Sequence, residues 1–128
     1  MAQLLWICLA GAIGTGVRYG VGIWAGRALG IEFPYGTLIV NVCGSFLIAL
    51  VLELAISTSY IGPTLRMTLT TGFMGGLTTY SSFNQETLKL LQARAWTSGA
   101  LYLFVTLAGC LVAGLLGLVV ARRLAGSG

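Results

Sequence analysis

The chain has 128 residues, 57% of them hydrophobic and only 8% charged, whereas soluble domains carry about 25% charged residues. Seven Lys/Arg and three Asp/Glu cannot solvate a globule of this length, so the sequence reads as an integral membrane protein. The net charge of +4 comes from scattered residues rather than a basic stripe with interleaved aromatics, which excludes a nucleic-acid surface.

Four hydrophobic segments follow one another, at about residues 4–29, 37–57, 65–91 and 97–121, and they leave no room for a soluble domain. A helical segment of about 21 residues covers roughly 31 Å, enough for a ~30 Å hydrocarbon core. The breaks carry turn and polar residues: Glu32 and Pro34, then Gly62 and Pro63, then Gln92 and Arg94. The first apolar run, Leu4 to Ala12, has no basic region before it and continues into further apolar sequence, so it is a first span rather than a cleaved signal.

Span one is rich in glycine, with close-approach spacing at Gly16/Gly20 and Gly22/Gly26, and ordinary helix packing is the expected use. Arg18 lies deep in this span, where a charge must snorkel or face water or protein. Anchoring near the inner edge is the preferred reading, with contact to a permeating ion the alternative. Span two places Thr37, Asn41 and Ser45 at successive i+4 positions. An intramembrane asparagine most often makes a helix–helix contact, but the aligned hydroxyls favour a pore-facing stripe. Glu53 falls near the far end, at the interface.

Span three contains TTGFMGGLTTYSSF, Thr70 to Phe83, with three glycines and six Ser/Thr residues. Continuous helix is disfavoured by that composition, and irregular backbone at membrane depth is tolerated only inside protein or along a cavity. The break is expected at 75–79, with helix resuming near Tyr80 and bringing Tyr80, Phe83, Asn84 and Thr87 to one face. Glu86 and Lys89, three apart, could pair, and near the end of the span a solvated or interfacial pair is preferred over a proton relay. In span four, Tyr102, Thr106 and Cys110 recur at i+4, a second polar track continued by Ala113 and Gly117. A small buried thiol such as Cys110 is also a common space-filler.

With four spans, Arg66, Arg122 and Arg123 fall on the side of the termini, and Arg27, Arg94 and Lys89 on the other. This balance gives almost no orientation bias and permits an antiparallel dimer. The three cysteines are widely spaced and histidine is absent, so a disulfide scaffold, a zinc site and Cys/His catalysis are all poor fits. No nucleophile with a neighbouring base, no metal cluster and no phosphate loop is present, so the chain is not expected to be an enzyme. Polar tracks with one deep arginine and no membrane-central carboxylate favour a small anion, toward which aromatic edges carry partial positive charge. Carbonyls freed around Gly75 to Thr78 suit a hard monovalent cation such as Na⁺.

Over nearly its whole length the chain resembles the fluoride channel family known as Fluc or CrcB. The matches are GGLTTYSSF at Gly75–Phe83, similar to the family's GGxTTFSTF, then GTLIVN at Gly36–Asn41, the Arg18-Tyr19 pair, and Glu86 after the break. The resemblance implies an all-α membrane protein of four transmembrane helices, broken in the third and assembled as an antiparallel dual-topology homodimer. It implies passive, fluoride-selective export through two pores in a prokaryotic cytoplasmic membrane, protecting the cell from fluoride. It also implies Na⁺ on the dimer axis, held by backbone carbonyls of Gly75 and Thr78. The family's paired phenylalanines fall on Tyr80 and Phe83, its pore asparagine on Asn41, and its fourth-span track on Tyr102, Thr106 and Cys110. Thr37 and Ser82 join this pore set, while Arg18 and Glu86 take structural or vestibule positions. Tyr80, Ser82 and Cys110 depart from the family's usual phenylalanine, threonine and serine.

Two other readings fit less of the sequence. A proton-coupled exporter resembling the small multidrug resistance family needs a membrane-embedded glutamate in span one, and this chain has Arg18 there and no acidic residue before Glu32. A non-transporting assembly subunit explains glycine-rich faces but not a hydroxyl-rich break.

Overall fold

The computed structural model describes residues 1–126, and these contain helices and no strand. Helix α1 (Ala2–Ala28) leads through a short connector, in which Gly30 takes a φ of 93°, into α2 (Tyr35–Ser57). The third passage is assembled from pieces. Helix α3 (Pro63–Met67) begins with proline at a position where a missing N–H costs nothing, widens into a π-helical segment (Thr68–Met74), and narrows again as α4 (Gly75–Leu77). Thr78 and Thr79 are extended, and helix resumes as α5 (Tyr80–Gln92). Helix α6 (Trp96–Leu124) completes the chain.

Helices α1, α2 and α6 are each long and apolar enough to cross a membrane. The third passage contains no single helix of that length, because it is divided, yet it runs through the same bundle. The chain is a multi-pass membrane protein with four passages, the third bent.

The interruption is narrower than 75–79. Gly75, Gly76 and Leu77 stay helical, and the first irregularity of the glycine- and threonine-rich stretch comes earlier, as the π-helical segment. Thr68 and Thr70 donate their hydroxyls to the carbonyl oxygens of Thr64 and Arg66, both at 2.8 Å. Such back-bonding to the preceding turn loosens the ordinary helical ladder.

Glycines bring this passage against α1. A Cβ on Gly76 would run into the Gly11 carbonyl oxygen, one on Gly14 into the Phe73 carbonyl oxygen, and one on Gly72 would stand 2.8 Å from the Ile7 oxygen. Backbone therefore packs on backbone at membrane depth, where small residues give the closest contact and the most dispersion attraction. The GxxxG pairs of span one behave differently. Gly16 and Gly20 have no atom within 4 Å of an added Cβ, so they do not make the close contact within the protomer. Gly22 does, since a Cβ on Gly36 of α2 would lie 2.9 Å from its Cα.

Helix α6 lies along α2, with Tyr102, Thr106, Ala113, Gly117 and Ala121 buried on its inner face. At Gly117 an added Cβ would meet the Phe46 carbonyl oxygen of α2. At the far end of the same helix pair, Arg122 Nε donates to Glu53 Oε1 at 3.0 Å.

Candidate functional site

The site begins at the two residues that leave the helix. Thr78 N still donates to Met74 O at 2.9 Å, the last turn of helical bonding. Thr79 N would return to the Gly75 carbonyl if the helix continued. Instead it donates to Asn41 Oδ1 at 2.8 Å, while Asn41 Nδ2 donates to Thr79 O at 3.1 Å. One side-chain amide thus satisfies both backbone groups of a residue that has no helical partner for them, as buried backbone at this depth requires. Thr79 is then the N-cap of α5, its Oγ1 accepting from Ser82 N at 3.2 Å. Its Oγ1 also donates to Ser82 Oγ at 3.1 Å, so Ser82 is held at the start of α5.

The stripe expected on span two is consequently divided in its duties. Asn41, 9% exposed, clamps the break. Ser45 donates back to Asn41 O at 2.7 Å within its own helix. Thr37 donates to Glu86 Oε1 at 2.8 Å. Asn41 Nδ2 carries a second hydrogen that these bonds leave free for another acceptor.

Beside the break lies a cavity of about 390 Å³, to which α2 contributes Asn41 and Ser45, the third passage Thr78, Tyr80 and Phe83, and α6 Thr106 and Cys110. No carboxylate or basic side chain lines it. Its polar groups are hydroxyls, an amide and a thiol, and its aromatic wall is the Tyr80–Phe83 pair, with ring centroids 5.8 Å apart and planes tilted by 61°. Gly44 belongs to the same wall, since a Cβ there would collide with the Thr78 methyl group.

Glu86 does not form the local pair expected with Lys89. Its two oxygens accept instead from Thr37 Oγ1 and from the Tyr102 hydroxyl, the latter at 2.7 Å, so one carboxyl group joins α2, α5 and α6. Spacing of three residues made Lys89 a neighbour along the helix surface, but packing turns Glu86 inward toward two hydroxyls. Tyr102 is 0% exposed, its ring stacked edgewise between Phe83 (5.2 Å) and Phe33 (5.4 Å). Phe33 and Thr79 escaped the sequence reading. Phe33 sits in a connector with no periodicity to mark it, whereas Thr79 had a usable signal, a threonine three residues before Ser82 at a helix start. Removing the Tyr102 hydroxyl takes away one of the two donors to the carboxyl group. Tyr102→Phe is therefore expected to lower stability by about 1–3 kcal/mol, read as a reduced melting temperature in detergent.

A second recess, about 270 Å³, is lined by Arg18 with Thr15, Thr37 and Ser82. Arg18 Nε is buried there without a hydrogen-bond partner among the described residues. The deep arginine thus turns into a polar recess of the protein. Gly75, by contrast, is exposed on the surface of the protomer, as is Tyr80 at 76%. Among the described residues no group of three or more Asp, Glu, His or Cys side chains is placed to hold a metal.

The arrangement offers polar hydrogens and aromatic edges in a cavity free of fixed negative charge, next to a broken membrane helix. Comparison with known proteins agrees with this architecture. The family model described as "CrcB-like protein, Camphor Resistance (CrcB)" matches residues 5–118. A protein of Sorangium cellulosum named fluoride-specific ion channel FluC is 53% identical over 124 residues, covering 97% of this chain and 98% of that one. Proteins of the same name from Anaeromyxobacter sp. (strain K) and Geobacter sulfurreducens are 49% and 44% identical, covering 98% and 97% of this chain and the whole of each relative. A family match over most of the chain, and relatives this similar from end to end, mean that the chain belongs to the CrcB-like family.

Proposed function

We propose that the chain forms a fluoride-selective channel that lets fluoride leave the cell passively across the cytoplasmic membrane, and that it works as an antiparallel homodimer. The observation that carries this reading is the cavity beside the break, in which Thr106, Cys110, Tyr80 and Phe83 converge with Asn41 and no carboxylate is present. A small, strongly hydrated anion gives up water only where other hydrogens replace it. Hydroxyl, amide and aromatic-edge hydrogens do so, and a carboxylate in their place would repel it. The relatives named as fluoride-specific channels support the choice of fluoride.

In this reading the recess around Arg18 gathers anions, its guanidinium supplying the positive charge and Thr15, Thr37 and Ser82 the hydroxyls. The ion then runs past the edges of Tyr80 and Phe83 and along the hydroxyl and thiol of Thr106 and Cys110. Asn41 contributes mainly by holding the break in shape, with one amide hydrogen facing the path. Glu86, held by Thr37 and Tyr102, keeps its oxygens engaged and so lowers its repulsion of a passing anion.

The break supports the dimer reading. Gly75, exposed and lining the cavity beside extended backbone, is tolerated at membrane depth only against protein or a cavity, and the near-balanced distribution of Lys/Arg permits a second copy to insert upside down and cover it. Na⁺ fits the groups available there, because Thr79 N–H is committed to Asn41 and leaves the Gly75 carbonyl without its helical donor. The Gly75 and Thr78 carbonyls of the two copies would hold it. Bound there, Na⁺ supplies a fixed positive charge and a tie between the copies.

The test is fluoride release from liposomes carrying the purified protein, followed with a fluoride electrode beside a chloride control. Fluoride is expected to leave down its gradient without a proton gradient or ATP, with little chloride release. Absence of fluoride release from well-reconstituted vesicles overturns the proposal.

A further inference from the structure

Of the three acidic residues in the chain, two are engaged, Glu53 with Arg122 and Glu86 with Thr37 and Tyr102. Glu32, in the connector between α1 and α2, makes no hydrogen bond or ion pair among the described residues. It lines a recess of about 520 Å³, together with Leu29, Ile31, Phe33 and Tyr35 and with Ser98 in the first turn of α6. The hydroxyls of Tyr35 and Ser98 are likewise without a hydrogen-bond partner among the described residues. The aromatic wall is fixed in advance, because Phe33 packs on Tyr35 with ring centroids 4.9 Å apart and on Tyr102 at 5.4 Å. Little ordering is left for a ligand to impose. Leu29 and Ile31 are exposed at the border of the recess, as are Trp24 near the end of α1 and Trp96 at the start of α6. Exposed tryptophans at the ends of apolar helices mark the membrane–water boundary, so the recess lies at the depth of the lipid headgroups.

We infer that this recess binds the headgroup of a phospholipid that carries a primary ammonium, for which phosphatidylethanolamine is the probe. A primary ammonium has three N–H donors, and the recess offers three unengaged acceptor groups, the Glu32 carboxylate and the hydroxyls of Tyr35 and Ser98. The bond to Glu32 is charge-assisted and the strongest of the set. The faces of Phe33 and Tyr35 attract a methylated cation as well as a bare one, so the choice between headgroups rests on the N–H donors. A trimethylammonium headgroup has none, and a glycerol headgroup brings no positive charge to Glu32. Arg27, in the last turn of α1, and Arg94, four residues before Ser98, place positive charge at the same end of the bundle for the lipid phosphate. The exposed Leu29 and Ile31 give the acyl chains an apolar border that a soluble amine would leave uncovered, and the occupant is therefore the lipid. The recess shares no lining residue with the cavity beside the break, so its occupancy does not rest on the channel reading.

The experiment titrates the purified full-length protein in detergent micelles with defined lipids and reads bound lipid by native mass spectrometry. Phosphatidylethanolamine is expected to bind about tenfold more tightly than phosphatidylcholine of the same acyl chains, the factor that one hydrogen bond to a charged group supplies. N-methyl and N,N-dimethyl phosphatidylethanolamine are expected to fall between them in order, since each methyl group removes one donor. Glu32 is exposed, so Glu32→Gln is expected to fold as the wild type does; it should bind phosphatidylethanolamine and phosphatidylcholine alike. The inference is overturned if the wild type shows no preference along the methylated series, which needs no variant to decide, or if Glu32→Gln keeps the preference. Binding of phosphatidylglycerol as tight as that of phosphatidylethanolamine would overturn it in favour of anion recognition by the arginines. Glycerophosphoethanolamine, the same headgroup without acyl chains, is expected not to displace the lipid at equal concentration; displacement would make the occupant a soluble amine and overturn the lipid assignment.

Discussion

Fluoride efflux through the Asn41→Asp variant is expected to fall at least a hundredfold. Two effects act in the same direction. The carboxylate loses the donor that reaches Thr79 O at 3.1 Å and sets an oxygen against that carbonyl, and a buried acceptor left unsatisfied costs about 1–3 kcal/mol. The new charge also meets the permeating anion. At a separation of about 4 Å and an effective dielectric of ~20, like charges repel by about 4 kcal/mol, roughly a thousandfold in rate at 1.36 kcal/mol per tenfold. Asn41→Ala separates the contributions. It adds no charge but leaves the Thr79 N–H and C=O both unpaired, so its main expected effect is on stability. The measurements are electrode efflux for the Asp variant and a melting curve in detergent for the Ala variant. Wild-type efflux in Asn41→Asp would remove Asn41 from the pathway.

The largest structural effect is expected from a single methyl group at Gly76. Its Cβ would run into the Gly11 carbonyl oxygen and stand 3.0 Å from Thr15 N, and both obstacles are helix backbone. A side chain would turn aside, but a helix cannot, so α1 must separate from the third passage. Overpacking costs typically 1–3 kcal/mol and occasionally more, and Gly76→Ala is expected at or beyond the upper end, with a marked loss of folded protein on size exclusion. Gly26→Ala provides the contrast. Its Cβ would make only an ordinary contact, 3.7 Å from the Ile31 side chain, and the gain in helix propensity of about 0.5–1 kcal/mol should raise the melting temperature slightly. Equal behaviour of the two variants would refute the backbone-to-backbone contact.

Much of the architecture was legible from residues alone. Charge scarcity required a membrane, the four apolar runs gave four passages, and the glycine- and threonine-rich stretch marked the third as broken. Tyr102 and Thr106 were visible as a face of α6 because a period of four residues is a property of one helix. Less legible was anything decided between helices. Asn41, Thr37 and Ser45 share a face by spacing, yet one clamps Thr79, one donates to Glu86 and one bonds within its own helix. Glu86 and Lys89 are neighbours by spacing, and packing gave Glu86 to Thr37 and Tyr102. The glycine pairs of span one followed a motif, but contact fell on Gly11, Gly14 and Gly22 instead of Gly16 and Gly20.

By itself the sequence determined that this protein lives in a membrane, crosses it four times and interrupts the third crossing with polar backbone. These depend on composition and on local conformational preference, which each segment carries with it. Tertiary structure decided how wide the interruption is and what answers it. Only when α2 lies against the third passage does the amide of Asn41 reach both backbone groups of Thr79. That contact confines the extended residues to Thr78 and Thr79, because the cost of unpaired backbone in hydrocarbon is removed only where another helix supplies both a donor and an acceptor.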